Sequence, residues 1–321
     1  MLEVRDLKVH FPVTRGGLFR KEKQLVRAVD GVSFEIQPGE TLGLVGESGC
    51  GKSTTARAII GLIEATAGSV KFEGNEIIGL TPKQQKKYRP YFQMVFQNPF
   101  SSLNPRMTIA DVLAEPLKAL TNLSKRERLK RIQELMEIVN LDPKMLFRYP
   151  HEFSGGQRQR INIARALAVK PRLIVLDEPV SALDVSIQAQ IINLLQDLQK
   201  QFQLAYLFIA HDLSVVKTLS HRVAVMYLGK IVEVGETQRL YDDSKHPYTR
   251  ALLSAVPIPD PSEEKERERI PLEGEIPSPI QLPTGCHFHP RCPIAEEKCA
   301  QIEPLLEDKE NHLKAACLLA S

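Results

Sequence analysis

Residues 42–62 read LGLVGESGCGKSTTARAIIGL, and no other stretch of the chain restricts its fold as much. Leu42–Val45 is a short apolar run ending in glycine, the pattern of a buried strand. Gly46 to Ser53 fits G-x-x-x-x-G-K-[ST]. Ala56, Ile59, Ile60 and Ile63 then recur at helical spacing. Strand, glycine loop and helix in that order make a phosphate cradle. Gly46, Gly49 and Gly51 let backbone N–H groups turn inward around an anion, and the helix N-terminus adds partial positive charge. The expected cradle runs from Gly46 through Glu47, Ser48, Gly49, Cys50 and Gly51 to Lys52, Ser53 and Thr54. Lys52 is placed to reach the β- and γ-phosphates of a nucleotide, and the Ser53 hydroxyl to ligate Mg²⁺. Cys50 serves there as a small residue offering its N–H.

A second segment, PRLIVLDEPVSALD (171–184), complements the first. Leu173–Leu176 is a continuous apolar strand with Asp177 and Glu178 at its end. Ligands of open α/β sheets bind at the carboxyl ends of strands. Asp177 is then positioned for the Mg²⁺ shell, and Glu178 to polarise a water, a contribution of about 10²–10⁴-fold. The alternative is that both carboxylates cap a helix.

The bulk composition narrows the class. Net charge is +3, too balanced to indicate a nucleic-acid partner. No apolar run approaches the roughly 20 residues that span a bilayer, and the charged start MLEVRDLKVHFPV lacks a secretory core. Ten of the 22 prolines follow position 256, which predicts a loop-rich tail.

FSGGQRQR (153–160) opens a further helix, marked by Ile161, Ala164, Leu167 and Ala168, and so offers a second anion site at a helix N-terminus. One chain has little use for two γ-phosphate sites beside one nucleotide; two chains do. Here the sequence resembles ATPase subunits of ABC transporters over residues 1 to about 243. The motifs stand in the family's order: the loop 46–53, Gln97 in MVFQNP, Ser154–Gln157, Asp177 and Glu178, Ser181–Asp184, and His211 in FIAHDL. Phe153 stands where the family's commonest signature has leucine.

The resemblance implies a head-to-tail dimer with ATP between two cassettes. Lys52 and Ser53 of one would face Ser154, Gly155, Gly156 and Gln157 of the other, with Asp184 working across the dimer. It implies that Gln97 senses Mg²⁺ and the attacking water, that His211 holds the γ-phosphate, and that Phe11 stacks on adenine. The alternative for Phe11 is a core position on an N-terminal strand.

Between Gln97 and Ser154 the pattern is helical. Ser124 and Glu127 form a capping box, and Leu129, Ile132, Leu135, Met136 and Val139 follow on one face. The basic residues 125–131 are expected to be solvated. A later amphipathic helix carries Ile191, Leu194, Leu195, Leu198 and Phe202. The expected fold is therefore α/β: a P-loop ABC cassette with a mostly parallel sheet, antiparallel N-terminal strands and a helical subdomain at about 98–160, all within 1–244.

Residues 245–321 resemble the C-terminal extension of oligopeptide and dipeptide importer ATPases. SSLNPRMTI and the loop at 14–29 resemble that system's F-type rather than its D-type subunit. The charged linker PSEEKERERIP is read as solvated. Cys286, Cys292, Cys299 and Cys317 follow as C-x₅-C-x₆-C-x₁₇-C. An ATP-using chain works in reducing cytosol, where disulfides are uncommon, so a metal site is the better reading. The spacing lacks the close pair usual in structural zinc sites, and four thiolates suit an iron–sulfur cluster at least as well. The resemblance points to [4Fe–4S], with zinc as the alternative and His287, His289 and His312 as spare ligands. Such a group is expected to staple a tail with little core of its own.

The implied function is ATP-driven import of peptides. The implied partners are a second ATPase subunit (a D-type heterodimer partner), two membrane permease subunits and an extracytoplasmic substrate-binding protein. The implied location is peripheral, on the cytoplasmic face of the plasma membrane. Import of nickel or glutathione, or a soluble ATPase acting on nucleic acid or ribosomes, stand as alternatives.

Overall fold

The computed structural model describes residues 1–15, 22–256, 269–309 and 313–320. The loop tip at 16–21, most of the charged linker at 257–268 and His312 lie outside the described residues. The strands are β1 (Leu2–Arg15), β2 (Glu22–Ile36), β3 (Thr41–Val45), β4 (Ala67–Phe72), β5 (Asn75–Glu76) and β6 (Phe92–Val95). They continue with β7 (Leu173–Asp177), β8 (Ala205–Ile209), β9 (Arg222–Tyr227), β10 (Lys230–Glu236), β11 (Glu307–Asp308) and β12 (Lys314–Ala315). The chain divides into two compact units, one of Met1–Glu35, Leu42–Gly79 and Ala210–Ser321, the other of Ile36–Thr41 and Leu80–Ile209.

In the first unit an antiparallel sheet runs β2-β1-β4-β5, and a mixed sheet runs β11-β12-β10-β9-β3. β3 pairs with β9 in parallel, Leu42 opposite Arg222 and Val45 opposite Val225. All five residues of β3 are buried, as a strand covered on both faces requires. The helix after it spans Lys52–Ile59, shorter than the Ala56–Ile63 pattern suggests, because Ile60 takes the C-cap and the chain turns at Gly61 with φ 73°.

The tail is not the loosely stapled appendage its prolines suggest. Phe288 is fully buried against Tyr227, Tyr248 and His246, at ring separations of 5.3, 5.4 and 5.6 Å. Leu313 and Ala315 are also fully buried, and β12 pairs antiparallel with β10, Glu233 opposite Ala315. The physical reason is that β9 and β10 leave an apolar surface and an open ladder edge, and the tail supplies both a ring and a strand to cover them.

In the second unit β8, β7 and β6 are parallel neighbours, with Leu173 opposite both Ala205 and Phe92. The Ser124 capping box forms: the Glu127 N–H donates to Ser124 Oγ at 3.3 Å, and the Ser124 N–H to Glu127 Oε2 at 2.7 Å. Ile132, Leu135, Met136 and Val139 are buried, but Leu129 is 46% exposed. It lies one turn nearer the solvated start of the helix, before the apolar stripe meets its neighbours. Phe202, the last residue of the helix Val185–Phe202, is 39% exposed. Arg131 departs from the solvated face expected of 125–131. Its guanidinium donates to the carbonyls of Leu167 and Ala168, the last turn of the helix Gly155–Leu167, whose C-terminal carbonyls attract a cation.

Candidate functional site

The glycine loop is built for backbone approach. Gly46 has φ 146° and Gly51 φ 110°, and a Cβ on either would stand 2.1 Å from a backbone oxygen, that of Met226 or Ala28 respectively. Gly51 is the N-cap of the helix Lys52–Ile59 and brings no side-chain acceptor, so no side chain covers that helix N-terminus from the cap position. Lys52 is buried, and its ammonium donates to the Gly46 and Glu47 carbonyls at 2.6 and 2.9 Å, closing the loop. The Cys50 thiol is buried and its pKa is pushed up by burial, with Lys52 opposing part of the rise. The Cys50 carbonyl accepts the Gly229 N–H at 2.9 Å, which ties the loop to the β9–β10 turn. Ser48 and Gly49 are exposed, and Ser53 and Thr54 partly so.

Glu47 stands apart from the rest of the loop. Its N–H donates to the Tyr248 hydroxyl at 2.9 Å. Its carboxylate accepts two bonds from Arg291, at 2.7 and 3.1 Å. The sequence places Glu47 with the phosphate-binding residues; in the structure its N–H and carboxylate face Tyr248 and Arg291. Tyr248 and Arg291 were missed, and no local signal could have found them, since they lie 201 and 244 positions from Glu47. Also in this unit, His211 is exposed just before the helix Leu213–Leu219, and Phe11 is 37% exposed on β1, so it is not a core ring.

The second unit holds the carboxylates. Asp177 is the last residue of β7 and is buried at 3% exposure. Glu178 follows with φ 47°, a left-handed conformation that costs a non-glycine residue energy and recurs at functional sites. Its N–H donates to the Ile209 carbonyl at 2.9 Å, and its Oε2 accepts from Gln97 Nε2 at 2.7 Å. Gln97 and Glu178, predicted separately, are thus in contact. Neither carboxylate caps a helix, because the next one begins at Val185 with Asp184 at its N-cap position. Ser154 is the N-cap of the helix Gly155–Leu167, in a reciprocal box with Gln157 at 3.3 and 3.0 Å. Gly156 is buried, and a Cβ there would stand 2.6 Å from Ile187 Cγ2, so the signature glycine is also where two helices approach closely.

All five cysteines are free thiols. Among the described residues no group of three or more His, Cys, Asp or Glu is arranged to hold a metal ion, so the coordination site expected at Cys286, Cys292, Cys299 and Cys317 is not formed as such. Cys286, Cys292 and Cys317 are partly buried and Cys299 is buried. Burial pushes the Cys286 thiol up to about 11, and Cys317, Cys292 and Cys299 each add to the rise. Burial also raises Cys292, followed by Cys317 and Cys299. The Cys286 N–H donates to the Cys299 carbonyl at 2.8 Å.

In the first unit, a buried strand followed by a phosphate-type glycine loop on a helix N-terminus has the form of a P-loop nucleotide-binding site. The comparisons agree. The family model described as "ABC transporter" matches residues 29–181, and that described as "Oligopeptide/dipeptide transporter, C-terminal region" matches 232–299. The oligopeptide transport ATP-binding protein OppF of Escherichia coli (strain K12) is 55% identical over 99% of this chain and 96% of its own length. AppF of Bacillus subtilis is 53% identical over 100% and 98%, and the di/tripeptide transport ATP-binding protein DppF of Pseudomonas aeruginosa 53% over 95% and 94%. Among solved structures, the dimeric ATP-binding cassette MJ0796 bound to ADP and Pi is 28% identical with TM-score 0.65, over 74% of this chain and 99% of its own. The chain belongs to the ABC-transporter family, as an ATP-binding subunit of the branch that carries the oligopeptide/dipeptide C-terminal region. Membership makes it an ATPase whose hydrolysis of Mg²⁺-bound ATP is coupled to transport. None of its described helices is long and apolar enough to cross a membrane.

Proposed function

We propose that the chain is the energy-coupling ATPase of a peptide importer. One observation carries the substrate class: near-full-length identity to proteins named for oligopeptide and di/tripeptide transport. None of these three relatives is named for nickel or glutathione. Residues 1–244 form the cassette, with a helical subdomain at about 98–160, and 245–321 form the extension. The subunit works as a peripheral partner on the cytoplasmic face of the membrane. It engages two permease subunits, which receive substrate from an extracytoplasmic binding protein, and it pairs with a second ATPase subunit of D type.

In this reading the loop from Gly46 to Thr54 receives the phosphates. Lys52 exchanges its carbonyl partners for phosphate oxygens, and Ser53, Gln97 and Asp177 hold Mg²⁺. Glu178 accepts a proton from the attacking water, Gln97 keeps its carboxylate oriented, and His211 holds the γ-phosphate. Phe11 offers its exposed ring to adenine. Ser154, Gly155, Gly156 and Gln157, with Asp184, present the second anion site to the partner's nucleotide. Cys286, Cys292, Cys299 and Cys317 fit a [4Fe–4S] cluster, with zinc as the alternative. What supports this reading is that all four are free and that thiolates are the ligands such a cluster takes.

The test is uptake by cells lacking the chain, complemented with wild type or Glu178→Gln. Wild type restores uptake of labelled di- to pentapeptides. Glu178→Gln binds ATP, hydrolyses it about 10²–10⁴-fold more slowly and restores no uptake. Restored nickel or glutathione uptake without peptide uptake would overturn the substrate class, and near-normal turnover of the variant would remove Glu178 from its role.

A further inference from the structure

The extension grips the phosphate loop at Glu47. Two extension residues reach it from different segments. Tyr248, on the helix Pro247–Ser254, accepts the Glu47 N–H at 2.9 Å. Arg291, directly before Cys292, forks the Glu47 carboxylate at 2.7 and 3.1 Å. Neither is a casual surface contact. Tyr248 is fully buried, and the Arg291 side chain is 5% exposed. Arg291 Nη1 also lies 3.5 Å from the Tyr227 hydroxyl, and its guanidinium sits 5.9 Å from that ring's centroid. The short helix His289–Arg291 fixes the backbone that carries it, and Phe288 anchors that helix among Tyr227, Tyr248 and His246.

The loop has reason to need such a grip. A carboxylate in a phosphate-binding loop repels a polyanion unless it is neutralised and turned away. The fork does both, with a geometry that lysine cannot reproduce. The carbonyl of Glu47 is also one of the two that Lys52 bonds, so a displaced Glu47 displaces the acceptor beside the Lys52 ammonium. We propose that Arg291 and Tyr248 are positioning residues for the phosphate loop, holding Glu47 so that the C-terminal extension sets the affinity of the cassette for nucleotide. The proposal rests on the reading of Gly46–Thr54 as the nucleotide site.

The experiment uses the full-length chain, with Mg²⁺-ATP titrated calorimetrically, hydrolysis resolved into KM and kcat, and melting followed in parallel. The variants are Arg291→Ala, Arg291→Lys, Tyr248→Phe, Glu47→Gln and the Glu47→Gln/Arg291→Ala double. Arg291→Ala is expected to raise Kd and KM roughly tenfold or more, with kcat changed much less, since small misplacements of binding groups cost this much. Arg291→Lys falls between it and wild type. The double variant is no weaker than the worse single, because both remove one interaction. Tyr248→Phe removes one oxygen and keeps the ring; it decides the matter if Arg291→Ala does not fold, with an expected rise in Kd of at least about threefold. A Kd within twofold of wild type in the folded variants, multiplying effects in the double, or a lowered melting point with unchanged Kd would each overturn the proposal. Failure of the wild type to bind nucleotide would instead sink the nucleotide-site reading on which it stands.

Discussion

Replacing Phe288 by alanine asks whether the extension is part of the cassette's core. Phe288 is 1% exposed and meets three rings, Tyr227 edge-on at 5.3 Å, Tyr248 at 5.4 Å and His246 at 5.6 Å. Truncating a buried phenylalanine costs about 3–5 kcal/mol. With ring–ring contacts of about 0.5–1.5 kcal/mol per pair among what is lost, a value in the middle of that range, about 4 kcal/mol, is expected. With a urea dependence of about 3 kcal/mol per molar, the unfolding midpoint of the first unit moves down by about 1.3 M. The assay is urea titration followed by near-ultraviolet circular dichroism, whose tyrosine signal includes Tyr227 and Tyr248. An appended tail without a share in the core predicts no change in that transition. A shift below about 0.3 M would refute the packing argument.

Two further outcomes follow from the same region. His246 is fully buried and its pKa is pushed down to about 3 by burial. The folded ring stays neutral while the unfolded one takes a proton below about 6.5, so its contribution is intact above that pH and lost as pH falls toward 3. Between pH 7 and pH 5 this amounts to about 2 kcal/mol, and His246→Asn, which keeps an acceptor for the Tyr248 N–H, flattens the stability profile by that amount; an unchanged profile assigns the acid limb elsewhere. Purification without oxygen is expected to yield about four iron and four sulfide per chain, lost in Cys299→Ser; one zinc without sulfide makes the site a zinc staple.

What the sequence disclosed was set by how local the causes are. β3, its glycine loop and the following helix lie within one window, and so do the Ser124–Glu127 box and the strand ending at Asp177. Each is dictated by neighbours in the chain, and each was legible. Apolar spacing gives the stripe of the helix Lys125–Ile138 but not where its burial begins, so Leu129 shares the face of Ile132 and Leu135 and yet stands exposed. The Gln97–Glu178 contact joins two motifs that the sequence could identify but not orient. The grip on Glu47 was illegible, because its partners are an ordinary tyrosine and an ordinary arginine brought there by tertiary packing alone. The same holds for the burial of Phe288, whose proline-rich surroundings carry no periodic pattern.

β12 bears on how the chain is made. Until residues 314–315 leave the ribosome, the outer edge of β10 presents an unpaired ladder, and the Val232 carbonyl waits for the Ala316 N–H that it accepts at 2.8 Å. An emerging cassette with that edge bare can zip onto another nascent copy. The last short strands act as a hem: β12 covers the edge, and β11 outside it carries only Glu307 and Asp308, both exposed and negatively charged. A transcript cut after the cassette would therefore yield a product prone to clumping even though its nucleotide motifs are complete.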